Sequence, residues 1–255
     1  MRLQLGSALF AAFLVLASRA AYADTVLYST GFETPTFTTG PLNGQNNWSV
    51  FGPGTPTVES SFADTGSQAV FVDGGAASQS GPYYAISSSG PLIDLSADIA
   101  IFTSSTETEW QFGALGPGLV GYLGGINIEP NGDIYAITAV PSEIGTFTKA
   151  TAFNSAAWQN INLLFDIATQ TYSVSLNGTP LASNIPFCGS NSTCTGANIS
   201  SFGDAFFDSF GSGNDSAYMD NISIVSVSPE PSMIFPMAAV LAGIGAARRR
   251  RLSAR

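Results

Sequence analysis

Three features of the amino-acid sequence predict an all-β sandwich in the middle of the chain. Gly, Ser, Thr, Asn and aromatic residues dominate this part, and such a composition favours short strands joined by many turns. Several runs alternate apolar and polar side chains with a period of two, and no segment of the middle requires a helix. With both ends removed, ~200 residues remain, enough for a single sandwich domain with a sizeable core.

Strand-like runs follow one another along residues 25–227. These runs are 25–29, 68–72, 99–102, 107–114, 125–128, 133–139, 158–181 and 217–227. Asn131-Gly132 separates two of them, and this dipeptide is the strongest short signal for a β-hairpin. We therefore expect the strands on either side of it to pair.

The segment 158–167 has the clearest strand pattern. Ile161, Leu163 and Phe165 share one face with a period of two, and the opposite face is mostly polar. This pattern predicts a strand with one side in the core. Trp158 begins the strand, so we expect its ring to pack in the core as well.

The distribution of charge excludes several classes of function. All 18 acidic residues lie between Asp24 and Glu230, together with one basic residue, Lys149, so the formal charge of this span is −17. A nucleic-acid-binding protein needs Lys and Arg to neutralise phosphates, so we exclude nucleic acid as a partner. The sequence contains no histidine, which removes Ser-His-Asp and Cys-His catalysis and His-ligated zinc or haem.

The first 23 residues are predicted to be a signal peptide. Arg2 supplies a positive start, an apolar run follows from Leu9 to Ala17, and Ala21-Tyr22-Ala23 is a small-x-small cleavage pattern. We expect signal peptidase to cut here, which leaves a sandwich domain of residues 24–227. An uncleaved N-terminal anchor is the alternative, but the apolar run is short for a membrane span.

The last segment, residues 228–255, has three parts in order. An apolar stretch, 233–247, is predicted to be a transmembrane helix, although it is shorter than the ~20 residues of a typical span. A cluster of positive charge follows it and is expected to stay in the cytoplasm. The short motif before the stretch is Pro229, Glu230 and Pro231, and the cluster is Arg248, Arg249, Arg250 and Arg251.

This three-part tail resembles the PEP-CTERM sorting domain. The resemblance implies that an exosortase, a membrane protease, cuts near Pro-Glu-Pro while the chain is anchored in the inner membrane. It also implies a Gram-negative host that makes exopolysaccharide or biofilm matrix. The processed protein would then reside on the outer surface or in the extracellular matrix.

The body resembles the concanavalin A-like, laminin-G-like sandwich, a jelly roll. Four segments carry the resemblance: Gly31-Phe32-Glu33, Gly44-Gln45-Asn46-Asn47-Trp48, Trp158 through Gly178, and Tyr218-Met219-Asp220-Asn221. Such folds occur in lectins, in glucanases and in adhesion modules, so the resemblance leaves the function open.

Glu33 and Asp220 form a candidate calcium site. The first and last strands of jelly-roll modules are often neighbours, so these two carboxylates could share an ion with backbone carbonyl oxygens. The acidic body would attract such a cation. Alternatively, both residues are turn or strand-end residues without a ligand. Calcium is the one cofactor we consider.

Two cysteines, Cys188 and Cys194, enclose a short polar loop. In an exported protein they are expected to form an intramolecular disulfide. A metal site is the alternative, but two thiols without histidine make a poor one.

Glu107 and Glu109 are the candidates for a catalytic pair, because glycoside hydrolysis needs two carboxylates. They lie two residues apart and so share one face of a strand. Glucanases of the resembled fold use two glutamates that flank an aspartate on one strand, and Glu107-Thr108-Glu109-Trp110 lacks that aspartate. We therefore assign no catalytic residue.

Aromatic side chains are the candidates for stacking against sugars. They are Trp48, Trp110, Tyr83, Tyr84 and Tyr122, each with burial in the core as the alternative. We therefore expect a non-catalytic surface or matrix protein with exopolysaccharide as the candidate ligand. A carboxylate-dependent glycan hydrolase or lyase, and a structural spacer without ligand, remain the alternatives.

Overall fold

The computed structural model describes residues 23–75, 79–102, 108–138, 141–150, 157–188, 199–211 and 215–228. Residues Thr25–Val227 form one compact unit. A second unit comprises residues 1–24 and 228–255, of which only 23, 24 and 228 are described.

The predicted signal peptide, the Pro-Glu-Pro motif, the apolar stretch 233–247 and the Arg cluster lie outside the described residues. Within the described part of the chain, no helix is long and apolar enough to cross a membrane. The predictions for the two ends therefore remain predictions.

The described residues of the body form sixteen strands and one short 3₁₀ turn, Gln45–Asn47. The strands are β1 Thr25–Thr30, β2 Gly40–Pro41, β3 Trp48–Phe51, β4 Thr57–Glu59, β5 Ala69–Asp73, β6 Gly81–Ser88, β7 Leu92–Phe102, β8 Glu109–Gly116, β9 Val120–Ile128, β10 Asp133–Ala136, β11 Glu143–Thr146, β12 Gln159–Asp166, β13 Thr171–Leu176, β14 Thr179–Pro186, β15 Phe202–Phe210 and β16 Ser216–Val227.

These strands form two antiparallel sheets. The first sheet has the order β14-β13-β12-β7-β16-β5-β4-β2, and β1 also pairs with β16. The second sheet has the order β11-β10-β9-β8-β15-β6-β3. One cluster of buried apolar side chains from both sheets forms the core. The body is therefore an all-β sandwich, as predicted.

Several predicted strands and pairings are confirmed. Strand β12 has the alternating burial expected of it, with Ile161, Leu163 and Phe165 in the core. Asn131-Gly132 joins β9 to β10, and Ile134 pairs with Ile128 across the turn. The first and last strands, β1 and β16, are neighbours.

Trp158 does not reach the main core. It is half-buried in a smaller cluster on the outer side of the first sheet, where it stacks on Phe62 with ring centroids 5.0 Å apart. Tyr218 and Phe102 complete this aromatic group. The prediction that Trp158 packs in the core is therefore wrong, because the ring packs on the opposite face of the sheet.

Sequence reasoning did not identify β15, which lies in the middle of the second sheet. Eight of its nine residues are buried, so both faces of the strand are covered. Its sequence, Phe-Gly-Asp-Ala-Phe-Phe-Asp-Ser-Phe, shows no alternation of polarity because two aspartates are buried along with the aromatic rings.

Candidate functional site

The outer face of β15 carries two aspartates and two phenylalanines in alternation. The neighbouring residues Ala205 and Phe207 point into the core, and the strand period of two places the intervening side chains on the other face. We call this outer row the β15 stripe; it consists of Asp204, Phe206, Asp208 and Phe210.

A pocket of ≈ 180 Å³ opens on this face of the second sheet. Its walls are mainly apolar and aromatic, with one amide and one carboxyl group. The lining residues are Phe51, Gln79, Leu115, Leu119, Tyr122, Phe206 and Asp208. Tyr122 meets Phe206 edge to face, with ring centroids 6.0 Å apart and planes at 84°. We call this the outer pocket.

Asp208 is the most unusual group in the outer pocket. Its side chain is 0% exposed, and its Oδ2 accepts a hydrogen bond of 2.6 Å from Gln79 Nε2. Its Oδ1 is buried without a hydrogen-bond partner among the described residues. Burial raises the pKa of Asp208 to about 8, against the smaller opposing effect of Gln79. At neutral pH the group is therefore a neutral acid that can donate or accept a hydrogen bond.

Close backbone packing places Gln79 beside Asp208. The residues that follow them in the chain, Ser80 and Ser209, exchange backbone hydrogen bonds of 3.0 and 2.9 Å. Gly81 packs against the backbone of β15, and a Cβ at this position would collide with the Phe207 carbonyl oxygen. This position therefore requires glycine.

Asp204 shapes another wall of the outer pocket. Its Oδ2 accepts a hydrogen bond of 2.6 Å from the Leu119 N–H, in the turn between β8 and β9. Leu119 has a φ of 61°, which is unusual for a branched side chain, and it remains 42% exposed. Burial raises the pKa of Asp204, and the hydrogen bonds from Leu119 and Gly118 partly oppose this. Asp204 thus holds Leu119 at the mouth of the pocket.

A row of polar side chains continues from Asp208 across the sheet. Asp208 pairs with Gln111, which pairs with Asn127. Asn127 donates to Glu109 Oε2 at 3.1 Å and to Glu129 Oε1 at 3.0 Å. The surface beside the outer pocket is therefore hydrogen-bonded and acidic.

Lys149 lies close enough to this acidic surface for its carboxylates to affect the pKa of the Lys149 ammonium group. Burial lowers its pKa to about 8, and the charges of Asp215, Glu129 and Glu109 oppose that effect. Its Nζ has no hydrogen-bond partner among the described residues.

Two of the predicted sugar-stacking residues are buried in the core. Trp48 is 1% exposed and Trp110 is 0% exposed, so neither ring has a face that a ligand could reach. Trp48 donates its indole N–H to Tyr28 at 2.8 Å, and Trp110 stacks on Phe207. The interpretation of both as binding residues is therefore wrong.

The predicted tyrosines lie on different sides of the second sheet. Tyr84 is half-buried and packs against the core, with its ring stacked on Tyr28 at 3.7 Å. Tyr83 is half-buried and pairs with Phe206 on the outer side, where its ring contacts Phe51. Tyr122 lines the outer pocket. A stacking role for Tyr83, Tyr84 and Tyr122 remains a prediction.

The carboxylates of Glu33 and Asp220 both accept hydrogen bonds from the loop of residues 64–68. Glu33 accepts from Ser67 N at 2.7 Å and from Gln68 N at 2.9 Å. Asp220 Oδ2 accepts from Asp64 N at 3.1 Å and from Thr65 N at 3.3 Å. The hydrogen bonds from Ser67 lower the pKa of Glu33, whereas burial raises the pKa of Asp220 to about 6.

This geometry gives both carboxylates a role in holding the loop. Within the described residues, no group of three or more His, Cys, Asp or Glu side chains is arranged to hold a metal ion. Calcium at Glu33 and Asp220 remains a prediction.

The other predicted pairs are described only in part. Cys188 is buried, while Cys194 lies outside the described residues, so the disulfide remains a prediction. Glu107 also lies outside them. Glu109 is half-buried on the outer side of β8 and is bonded to Asn127.

Sequence reasoning missed Asp208, Gln79 and Phe206. The signal that could have found them is a pair of aspartates set among phenylalanines in a run that is otherwise apolar or small. An acid in such a run is either exposed in a loop or buried at a site, because burying a charge without a partner is costly.

Comparison with known proteins supports the fold. No family model matches the chain, and no curated protein matches it. Among solved structures, a sialidase is 9% identical with a TM-score of 0.53; the match covers 71% of this chain, which spans 17% of the sialidase chain. A Bacillus subtilis protein with a galectin-like fold is 10% identical with a TM-score of 0.50, covering 79% of this chain and 96% of that one.

A third structure, cellulose induced protein Cip1, is 16% identical with a TM-score of 0.48, covering 80% of this chain and 99% of that one. At these identities the likeness concerns the fold. The body is a two-sheet sandwich that resembles concanavalin A-like and galectin-like domains.

Proposed function

We propose that this chain is an exported, non-catalytic protein that binds a glycan in the outer pocket of its second sheet. One observation carries the proposal. A fully buried carboxyl group, Asp208, is among the residues that line an aromatic-walled pocket, and its Oδ1 has no hydrogen-bond partner among the described residues, whereas buried polar atoms in folded proteins nearly always have a partner. A bound ligand would supply that partner.

The pocket has the two kinds of surface that a sugar needs. Sugar rings present apolar C–H faces together with hydroxyl groups. Tyr122, Phe206 and Phe51 offer apolar aromatic surface, and Gln79 and Asp208 offer hydrogen bonds. Ligand sites in proteins commonly combine mostly apolar walls with a few fixed polar groups.

The lining also favours binding over hydrolysis. Glycosidases use two carboxyl groups that flank the bond to be cut. Among the described residues that line the outer pocket, Asp208 is the single carboxyl group. A single carboxyl group in the pocket therefore supports glycan binding without cleavage rather than hydrolysis or elimination.

Export rests on the sequence of the two ends. The signal-peptide pattern in residues 1–23 and the PEP-CTERM-like tail after Ser228 support secretion through the inner membrane and sorting by an exosortase. Under this proposal the sandwich is delivered to the cell surface or matrix, where exopolysaccharide is the natural partner.

A matched pair of variants tests the proposal. We expect the purified full-length protein to bind at least one polysaccharide in affinity electrophoresis, without the release of reducing ends. Tyr122→Ala should weaken that binding by about ten-fold or more, since it removes a wall of the pocket. Phe210→Ala is the control, because Phe210 is an exposed aromatic residue of the β15 stripe outside the pocket.

The opposite results are equally clear. Equal weakening by both variants would mean that the outer pocket is not the site. New reducing ends that persist in highly purified protein would favour the hydrolase alternative.

A further inference from the structure

We infer that the outer pocket accepts an electrically neutral sugar unit and rejects uronic, sialic and sulfated sugars. This inference rests on the proposed glycan binding and narrows its ligand class.

The outer pocket offers nothing that would pair with an anion. Proteins recognise carboxylate, sulfate and phosphate groups with Arg or Lys, whose charged hydrogen bonds are strong. None of the described residues that line the pocket is basic. Lys149, the one cation between Asp24 and Glu230, does not line it and lies within the influence of three carboxylates.

The surroundings add repulsion. Glu109 lies on the row next to Asp208 and Gln111, and Asn127 joins it to Glu129. From the usual strand spacing and rise per residue, Glu109 lies roughly 8 Å from Asp208, within about one Debye length at physiological salt, whereas Glu129 lies roughly 12 Å away and is screened more. An anionic sugar would meet this negative field without a compensating cation.

Asp208 itself fits a neutral partner. Gln79 is bound to Oδ2, and Oδ1 has no hydrogen-bond partner among the described residues, so a protonated carboxyl can exchange a hydrogen bond with a sugar hydroxyl or ring oxygen. A cationic amino sugar would instead require an ionised Asp208, and the apolar walls disfavour burying that charge pair. Neutral hydroxyl groups satisfy Oδ1 at the least electrostatic cost.

The test compares polymers that differ only in charge. Full-length wild-type protein is titrated at pH 6.5 with neutral glucan, galactan and mannan, and with the same polymers after oxidation of their primary hydroxyls to uronic acids. We expect at least one neutral polymer to bind and its oxidised form to bind about ten-fold or more weakly. Phe210→Ala, which changes an exposed residue outside the pocket, should bind both forms within about three-fold of the wild-type protein.

Two results would separate a failure of the neutral-ligand inference from a failure of the proposed glycan binding. Stronger binding of an oxidised polymer, or of hyaluronan, that is lost in Tyr122→Ala would refute the neutral-ligand inference and keep the proposed glycan site. Absence of binding to every neutral and anionic polymer would refute the proposed function itself, and the inference with it.

Discussion

The outer faces of the two sheets are both rich in polar groups, but they differ in how those groups are paired. On the first sheet, Asn160 donates to Asp98 at 2.8 Å, and Asn221 donates to Asp98 at 2.9 Å and to Asp64 at 3.0 Å. On the second sheet, Asp208 Oδ1 has no hydrogen-bond partner among the described residues. Unpartnered buried atoms occur on both faces of the described structure, Trp158 Nε1 on the first and Asp208 Oδ1 on the second, but of these two residues only Asp208 lines the outer pocket.

The difference shows where free energy is available for a ligand. A carboxylate that already accepts N–H bonds gains little from a new partner, because an old bond must break first. A buried oxygen without a partner gains a full hydrogen bond on binding. Under the proposed function, the paired carboxylates of the first face stabilise the fold, and Asp208 in the outer pocket retains an interaction that a ligand can complete.

The largest expected effect concerns the pH dependence of stability. Burial raises the folded-state pKa of Asp208 to about 8, so the folded protein holds this proton more tightly than the unfolded chain does. Stability must then fall as pH rises from about 4 through 8. Between pH 6 and pH 9 we expect a loss on the order of 3 kcal/mol from this group, measured by urea unfolding.

Asp208→Asn is the control for that effect, since the amide cannot ionise. The difference in stability between the two proteins should grow from pH 6 to pH 9 in favour of Asn. Lys149 has a lowered pKa of about 8, so its titration raises stability as pH increases above 8. This contribution is the same in both proteins and cancels in the difference. A constant difference across this range would mean that Asp208 is not a buried acid.

The next effect concerns Asp220 on the first face. Asp220→Ala removes the acceptor for the N–H groups of Asp64 and Thr65. We expect a loss of about 2 kcal/mol in unfolding free energy, with unchanged glycan binding. Weakened binding in a folded Asp220→Ala protein would contradict the assignment of stability to the first face and of ligand binding to the second.

A smaller effect is expected for Glu33, whose carboxylate holds the other end of the same loop. Its partners are the N–H groups of Ser67 and Gln68 near the surface, so Glu33→Ala should cost about 1 kcal/mol. If these hydrogen bonds alone hold the loop, a chelator leaves the melting temperature of the wild-type protein unchanged. A fall on chelation that is absent in Glu33→Ala would instead support the calcium prediction.

The smallest effect is expected for Asn162, which bonds to Asp94 on the first face. Both groups are partly exposed, so Asn162→Ala should cost less than about 1 kcal/mol and leave binding unchanged. This variant serves as the polar control for Tyr122→Ala, measured with the same polysaccharide. A ten-fold loss of binding here would place the ligand on the first sheet.

The fold was more predictable than the site because it depends on repeated patterns. Strand β12 alternates strictly, and Asn131-Gly132 specifies the hairpin of β9 and β10 locally. Strand β15 gave no such pattern, since Asp204 and Asp208 are buried together with phenylalanines. Burial on both faces removes the alternation on which strand prediction depends.

The site could not be predicted because its parts are distant in sequence. Gln79 and Asp208 are separated by 129 residues of sequence and joined by a hydrogen bond, and the bridge between Ser80 and Ser209, beside the paired strands β6 and β15, brings them together. Trp48 and Trp110 show the opposite error: tryptophan is common both in cores and at sugar sites, and residue type does not distinguish the two.

The most direct test of the central claim is the pH dependence of glycan binding by full-length wild-type protein and by Asp208→Asn. The titration uses whichever neutral polymer binds at pH 6.5, repeated at pH 9. Binding through the neutral acid predicts that the wild-type protein loses about ten-fold in affinity as Asp208 ionises, while Asp208→Asn binds equally at both pH values. Equal loss in both proteins, or none in either, would contradict a role for Asp208 in the outer pocket.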